Sequence, residues 1–210
     1  MRNRHSSLLA AAVLAGAASL GGMTSATAAP AAAGNVLTYG SAGGTAVPVG
    51  AQLSAAGSIS LTSTSPAGSV NCSSSTFGAT VASNPIAPGT ASESNVDVAV
   101  NASSCTISLV GATGVNSIDV DLTNATVASN GTVKVTPIRA VGVLDSWFGP
   151  VTCIYEAASI TGTASNTDNS IKFTNQPLNL TNGEITCPSV TNFSAQYKPV
   201  SGSGGKVFVN

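Results

Sequence analysis

The chain has 210 residues, of which 7% are charged and 43% hydrophobic, and its formal net charge is −1. It is too hydrophobic and too weakly charged for intrinsic disorder, which requires low hydrophobicity and high net charge. Its 22 glycines cannot occupy every third position, as a collagen triple helix requires. Beyond the N-terminal segment, no apolar run reaches the roughly 18 residues that indicate a membrane-spanning helix.

The N-terminus has the three parts of a secretory signal peptide. Arg2 and Arg4 form a short positive stretch, an apolar run extends from Leu8 to Leu20, and Ala26-Thr27-Ala28 is an A-x-A cleavage motif. We predict a signal peptide over residues 1–28, cleaved after the last of these alanines and followed by a flexible Ala-rich tail over 29–34. The arginines are not adjacent, which favours Sec over Tat export. The predicted localisation is therefore extracellular, with no stable membrane anchor.

Removal of the signal peptide also removes His5, the only histidine of the chain. Two of the seven basic residues are lost with it, which leaves five against eight acidic residues. Without histidine, neither a Ser-His-Asp nor a Cys-His arrangement can form, and there is no His ligand for zinc. No basic stripe is present to neutralise the phosphates of a nucleic acid. We therefore predict a protein that is not an enzyme and has no cofactor, no metal and no nucleic-acid partner.

Four cysteines, an even number, predict two disulfides in an exported chain. Three pairings are possible, and the spacing favours Cys72–Cys105 and Cys153–Cys187, which lie 33 and 34 positions apart. Each closed loop would contribute roughly 3–4 kcal/mol if the effect is entropic.

The two halves of the chain also resemble each other. Gly68-Ser69-Val70-Asn71-Cys72 and Gly149-Pro150-Val151-Thr152-Cys153 share a G-x-V-x-C pattern. A duplication would give two related disulfide-closed β lobes, with a junction near residue 137. The alternative is coincidence in a composition dominated by a few small residues.

Short runs with one apolar face predict antiparallel strands from residue 35 to residue 210. Val96, Val98 and Val100 alternate with polar or small residues, and Asn130-Gly131 between valine-rich runs predicts a hairpin with a type I′ turn. The two prolines between Ser83 and Ser94 predict a long surface loop. Two facing sheets would bury the apolar faces, so the predicted fold is an all-β, antiparallel β-sandwich. Further strand-like runs are Ile118 to Leu122, Ile138 to Leu144, Val151 to Thr163, Ser170 to Thr174, Asn192 to Tyr197 and Lys206 to Val209.

Two clusters are candidates for chemistry or binding. Asp119 and Asp121 share one face of a strand, as a carboxylate pair of a hydrolase would, but apolar neighbours indicate that this face meets solvent. Trp147 and Phe148 lie in a turn just before Cys153, where they would stack on a sugar or anchor a partner if exposed. The alternative for these aromatics is an apolar plug against the neighbouring disulfide.

A set of motifs covers most of the chain beyond the signal peptide. They are Ser83-Asn84-Pro85 and Pro88-Gly89-Thr90-Ala91 between Cys72 and Cys105, Gly149-x-Val151-x-Cys153-Ile154-Tyr155-x-Ala157, Gly162-Thr163-Ala164, Asn169-Ser170-Ile171-x-Phe173, Cys187, Phe193-Ser194-Ala195-x-Tyr197-x-Pro199-Val200 and Val207-Phe208-Val209-Asn210. In these motifs the chain resembles uncharacterised secreted proteins of high-GC Gram-positive bacteria, often labelled Tat pathway signal sequence domain proteins. The resemblance implies export and a disulfide-bonded β fold, and it implies no activity.

These observations predict an extracellular or envelope-associated binding or structural protein. Its candidate partners are a cell-wall polysaccharide, a secreted protein or a small apolar ligand. Two alternatives name a binding mode: a polysaccharide-binding module that uses Trp147 and Phe148, and a carrier of the small apolar ligand. A hydrolase that uses Asp119 and Asp121 is the remaining alternative.

Overall fold

The computed structural model describes residues 34–210, so the predicted signal peptide and all but the last residue of the predicted tail lie outside the described residues. The described chain is almost entirely antiparallel β-structure, with one short 3₁₀ helix at Ala102–Ser104. The strands are β1 Leu37–Tyr39, β2 Thr45–Ala46, β3 Gln52–Thr64, β4 Ala67–Ser83, β5 Thr90–Val100, β6 Cys105–Ile107, β7 Ala112–Ala128, β8 Thr132–Ser146, β9 Val151–Ala157, β10 Ile160–Ser165, β11 Ser170–Gly183, β12 Val190–Tyr197, β13 Ser201–Gly202 and β14 Gly205–Val209.

The long strands close into a barrel of eight strand positions. We call each position a stave, and it is formed by one long strand or by two short strands that lie end to end. Strands β3, β4, β5, β7 and β8 pair in that order, each with the next. Strands β9 and β10 lie end to end and form one stave between β8 and β11, because both pair with each of those strands. Strand β11 pairs with β12, and β12 pairs with β3 from Asn192 opposite Thr62 to Tyr197 opposite Gly57. This last pairing closes the sheet on itself.

The predicted sandwich is therefore corrected to a barrel, whereas the all-β, antiparallel class is confirmed. The alternation of inward apolar and outward polar residues is as predicted: on β8, for example, Val133, Val135, Ile138 and Ala140 are buried. A closed sheet and two facing sheets both bury one face of every strand, so the alternation does not distinguish them. The difference lies in the pairing of the first and last staves, which are far apart in sequence.

The two ends of the barrel have different structures. The connections β3–β4, β6–β7, β8–β9 and β11–β12 lie at one end, which we call the loop end. At the opposite, terminal end, β1 pairs with both β2 and β14. The Asn84 side chain fastens the β4–β5 connection there: it donates to the carbonyls of Leu37 and Val47 and accepts from the Leu37 N–H, each at 2.8 Å.

Both disulfides are present in the pairing that the spacing predicted, Cys72–Cys105 and Cys153–Cys187. They occupy equivalent places in two four-stave halves, β3 to β7 and β8 to β12. In each half a cysteine on the second stave is joined to the connection between the third and fourth staves. This equivalence supports the proposed duplication. The halves meet at the β7–β8 hairpin, whereas residue 137 lies within β8.

The hairpin between β7 and β8 has a different turn from the predicted type I′. Gly131 has a φ of +82°, but Asn130 is not among the residues with positive φ, and a type I′ turn needs positive φ at both. The Gly131 N–H donates to the Ala128 carbonyl at 2.8 Å. This geometry is a type I turn followed by a glycine bulge, the usual three-residue hairpin loop.

Candidate functional site

The loop end carries two aromatic side chains in full contact with solvent. In the β8–β9 turn, 83% of Trp147 and 99% of Phe148 is exposed. Ser146 and Gly149 fix the turn through backbone hydrogen bonds of 3.2 Å in both directions, and the Ser146 hydroxyl accepts from the Phe148 N–H at 3.2 Å. The plug interpretation is therefore wrong, because the aromatics do not pack against the Cys153–Cys187 disulfide.

Further exposed apolar side chains lie in two other connections at the same end. Val110, in the β6–β7 connection, and Ile185, in the β11–β12 connection, are both exposed. The two connections are equivalent in the two halves of the barrel. Two exposed carboxylates, Asp145 and Glu184, lie beside these residues in sequence. We refer to Val110, Asp145, Trp147, Phe148, Glu184 and Ile185 as the loop-end surface.

Asp119 and Asp121 lie on the outside of the barrel, where both are exposed. Asp121 accepts a hydrogen bond from Arg139 Nη1 at 3.0 Å, and Arg139 Nε lies 3.5 Å from Glu156 Oε1. The three residues are direct cross-strand neighbours on β7, β8 and β9. Their charges form an exposed row of ion pairs, which contributes little to stability. The Asp121 carboxylate is therefore already paired with Arg139.

Glu93 is a candidate site residue whose buried position the sequence patterns did not predict. The segment predicted as a surface loop contains the first half of β5, and there Glu93 points into the barrel with only 4% of its surface exposed. Asn95 has a φ of +50° and forms a bulge opposite β4, which shifts the inward positions from Ala91 and Glu93 to Val96 and beyond. An alternation extended back from Val96 would place Glu93 outside.

The Glu93 carboxyl lines a cavity of about 50 Å³ in the terminal half of the barrel. Burial raises its pKa from 4.5 to about 7. A cavity of this size is far below the ~300 Å³ of typical small-ligand pockets, so the interior gives no support to the carrier alternative. Among residues 34–210, no three His, Cys, Asp or Glu side chains gather to hold a metal ion.

A second concave surface lies on the outside of the barrel. It is a groove of about 510 Å³ that crosses β6, β4, β3, β12 and β11. The strand register places Thr106, Asn71, Ser60 and Ser194 in one row of neighbours across it. Lys172 is the only charged residue among those that line it. Such a surface of hydroxyls and amides suits a hydroxylated ligand, but it lacks an aromatic side chain that protrudes.

The structure contains no helix within residues 34–210 that could span a bilayer. Its two disulfides fit a protein that folds in an oxidising compartment. Comparisons with protein-family models, curated proteins and solved structures find no match to this chain.

Proposed function

We propose that this chain is a secreted, non-enzymatic binding protein that attaches to an extracellular polysaccharide through its loop-end surface. The observation that carries the proposal is the exposure of Trp147 and Phe148. The other seven aromatic side chains of the described residues are buried or half-buried, in agreement with the usual fate of large apolar groups. The fold buries its other aromatic side chains and exposes these two on a fixed turn. Exposed aromatic side chains of this kind are typical anchors of a binding surface.

The chemistry around the aromatics favours a neutral glycan. Aromatic rings offer a flat apolar face that can cover the C–H face of a sugar ring. Asp145 and Glu184 supply exposed carboxylates, and sugar hydroxyls donate strong hydrogen bonds to charged acceptors. None of the five basic residues within 34–210 lies on the loop-end surface. Nucleic acids and anionic lipid surfaces are therefore poor partners, since both require lysine or arginine.

The proposal is tested by retention of the exported protein on insoluble polysaccharides. Purified wild type is incubated with cellulose, chitin and peptidoglycan, and the bound fraction is measured as a function of polysaccharide mass. Trp147→Ala and Phe148→Ala are each expected to weaken retention about tenfold or more, the usual loss at an aromatic anchor. Ile86→Ala is the matched control, because Ile86 is an exposed apolar residue at the terminal end. This control is expected to bind as wild type does.

Two outcomes would contradict the proposal. The first is that none of the three polysaccharides retains the wild-type protein. The second is that Trp147→Ala and Phe148→Ala bind as well as Ile86→Ala, while Lys172→Ala in the exterior groove loses binding. That result would assign glycan recognition to the groove. Circular dichroism of each variant shows that the barrel is intact.

A further inference from the structure

The interior of the barrel holds a carboxyl group without a partner. Neither Glu93 Oε1 nor Oε2 has a hydrogen-bond partner among the described residues, although both oxygens are buried. Buried side-chain polar atoms are satisfied in the large majority of cases, and buried acids are normally paired. This carboxyl therefore lacks a hydrogen-bond donor, and it faces a cavity that is large enough for a small ligand.

The cavity beside Glu93 has walls that suit a small cation with a hydrocarbon part. Apart from the carboxyl, no ionisable side chain lines it, and most of the lining is aliphatic, as at Val127 and Val133. The aromatic side chains of Phe77 and Phe173 also line it. Aromatic rings attract ammonium groups through their negative faces, and a carboxylate supplies the opposite charge. Carboxylate, ring and hydrocarbon together match an organic ammonium ion.

We propose that the Glu93 cavity is a binding site for a primary ammonium ion of about the size of methylammonium. The cavity volume of about 50 Å³ sets the size. A dry protein cavity of about 150 Å³ accommodates benzene, with six heavy atoms, so one-third of that volume accommodates about two. Methylammonium has two heavy atoms and three N–H donors, enough to satisfy both carboxylate oxygens. Pairing with the ligand removes the unfavourable isolation of the buried charge.

Access to the cavity lies at the terminal end, under the C-terminal strand. Val207 and Val209 of β14 line the cavity there. The Asn166 side chain holds this strand: its Nδ2 donates to the Val209 carbonyl at 2.7 Å and its Oδ1 accepts from the Val209 N–H at 2.8 Å. Leu37 of β1 lines the cavity at the same end, so β1 and β14 both border it there. A small ion would enter by local displacement of β14, the last strand of the chain.

The test is the thermal stability of the exported protein in methylammonium chloride at pH 8, where the carboxylate is ionised. A ligand of two heavy atoms binds no more tightly than the millimolar range, so the salt is titrated from about 1 to 100 mM. At tenfold excess over Kd, the melting temperature is expected to rise by about 3–6 °C above that in NaCl of equal ionic strength. Tetramethylammonium chloride, which exceeds the cavity, is expected to behave as NaCl does.

Two variants separate specific binding from general salt effects. Glu93→Gln removes the charge with little change of shape and is expected to abolish the methylammonium response. Ala125→Val fills the cavity that Ala125 lines, retains Glu93, and is expected to abolish it as well. Asp97→Asn removes an exposed carboxylate from the same strand and is expected to respond as wild type does.

A direct readout keeps the proposal testable if a variant does not fold. In wild-type protein labelled with ¹³C-glutamate, methylammonium is expected to shift the Glu93 carboxyl resonance in a saturable manner. The proposal is overturned if that resonance does not move, or if wild type and Glu93→Gln gain equal stability. A cavity that holds only water gives both of these negative results.

Discussion

Replacement of Glu93 by glutamine is expected to make the stability of the barrel much less dependent on pH. Burial raises the pKa of Glu93 from 4.5 to about 7 in the folded chain. Between these two values the unfolded chain releases a proton that the folded chain retains, so the free energy of unfolding of the wild type falls as pH rises. Below pH 4.5 the carboxyl is protonated in both states, and above pH 7 it is ionised in both.

The size of the effect follows from the two pKa values. Each pH unit in which only the unfolded chain has released the proton lowers the free energy of unfolding by about 1.4 kcal/mol. Between a pKa of 4.5 and one of about 7, the wild type loses about 3 kcal/mol. That is a large fraction of the 5–15 kcal/mol typical of a folded domain. Glu93→Gln carries no titrating group there and avoids this loss.

Urea denaturation at pH 4, 5.5, 7 and 8.5, followed by far-ultraviolet circular dichroism, measures the effect. Trp147 is a poor reporter because it is exposed in the folded state. We expect Glu93→Gln to exceed wild type by about 3 kcal/mol more at pH 8.5 than at pH 4. Asp97→Asn is the control, because it removes an exposed carboxylate from the same strand. A constant difference between Glu93→Gln and wild type across this range would refute the reasoning.

Three further variants are expected to destabilise the barrel, and the stability of each is measured by urea denaturation. Gly57→Ala would drive its methyl group into a carbonyl oxygen and a tyrosine ring of β12 and should lose about 3 kcal/mol or more. Gly78→Ala is its control: the added methyl group meets open space, and the variant should gain about 1 kcal/mol or less. Replacement of Cys153 and Cys187 by serine opens a loop of sequence separation 34 and should lose about 3–4 kcal/mol. Asn84→Ala removes three hydrogen bonds and should lose about 2–4 kcal/mol. If one of these three variants is as stable as the wild type, the contact that it removes or disturbs does not stabilise the barrel.

Local patterns predicted the strands that contain large apolar residues. The valines at 96, 98 and 100 lie on β5, and the run around Ile118 lies on β7. The first two staves were not identified, although β3 and β4 are among the longest strands. Their inward positions include small residues such as Ala55 and Ser75. Large aromatic side chains from other strands fill the space that the small residues leave. Tyr197 is an example, since its hydroxyl accepts from the Ser75 hydroxyl at 3.2 Å.

The candidate site was predictable in part, for physical reasons that differ between residues. Trp147 and Phe148 were identified because a turn with glycine and proline seldom contains two large aromatics. Their exposure depends on the neighbouring loops, which come together only in the folded barrel. Glu93 was not identified because one bulge at Asn95 reverses the alternation. A bulge with a non-glycine residue leaves no clear mark in the sequence.

Closure of the sheet reduces the need for charged side chains at strand borders. A strand at the border of an open sheet exposes unpaired N–H and C=O groups that can recruit another chain, and proteins usually protect such borders with charged side chains. Here the pairing of β12 with β3 leaves none of the eight staves at a border. The barrel thus needs few lysines and glutamates to prevent self-association. Its outer surface can therefore consist largely of serine and threonine, which carry no charge, without exposing a long unpaired strand border.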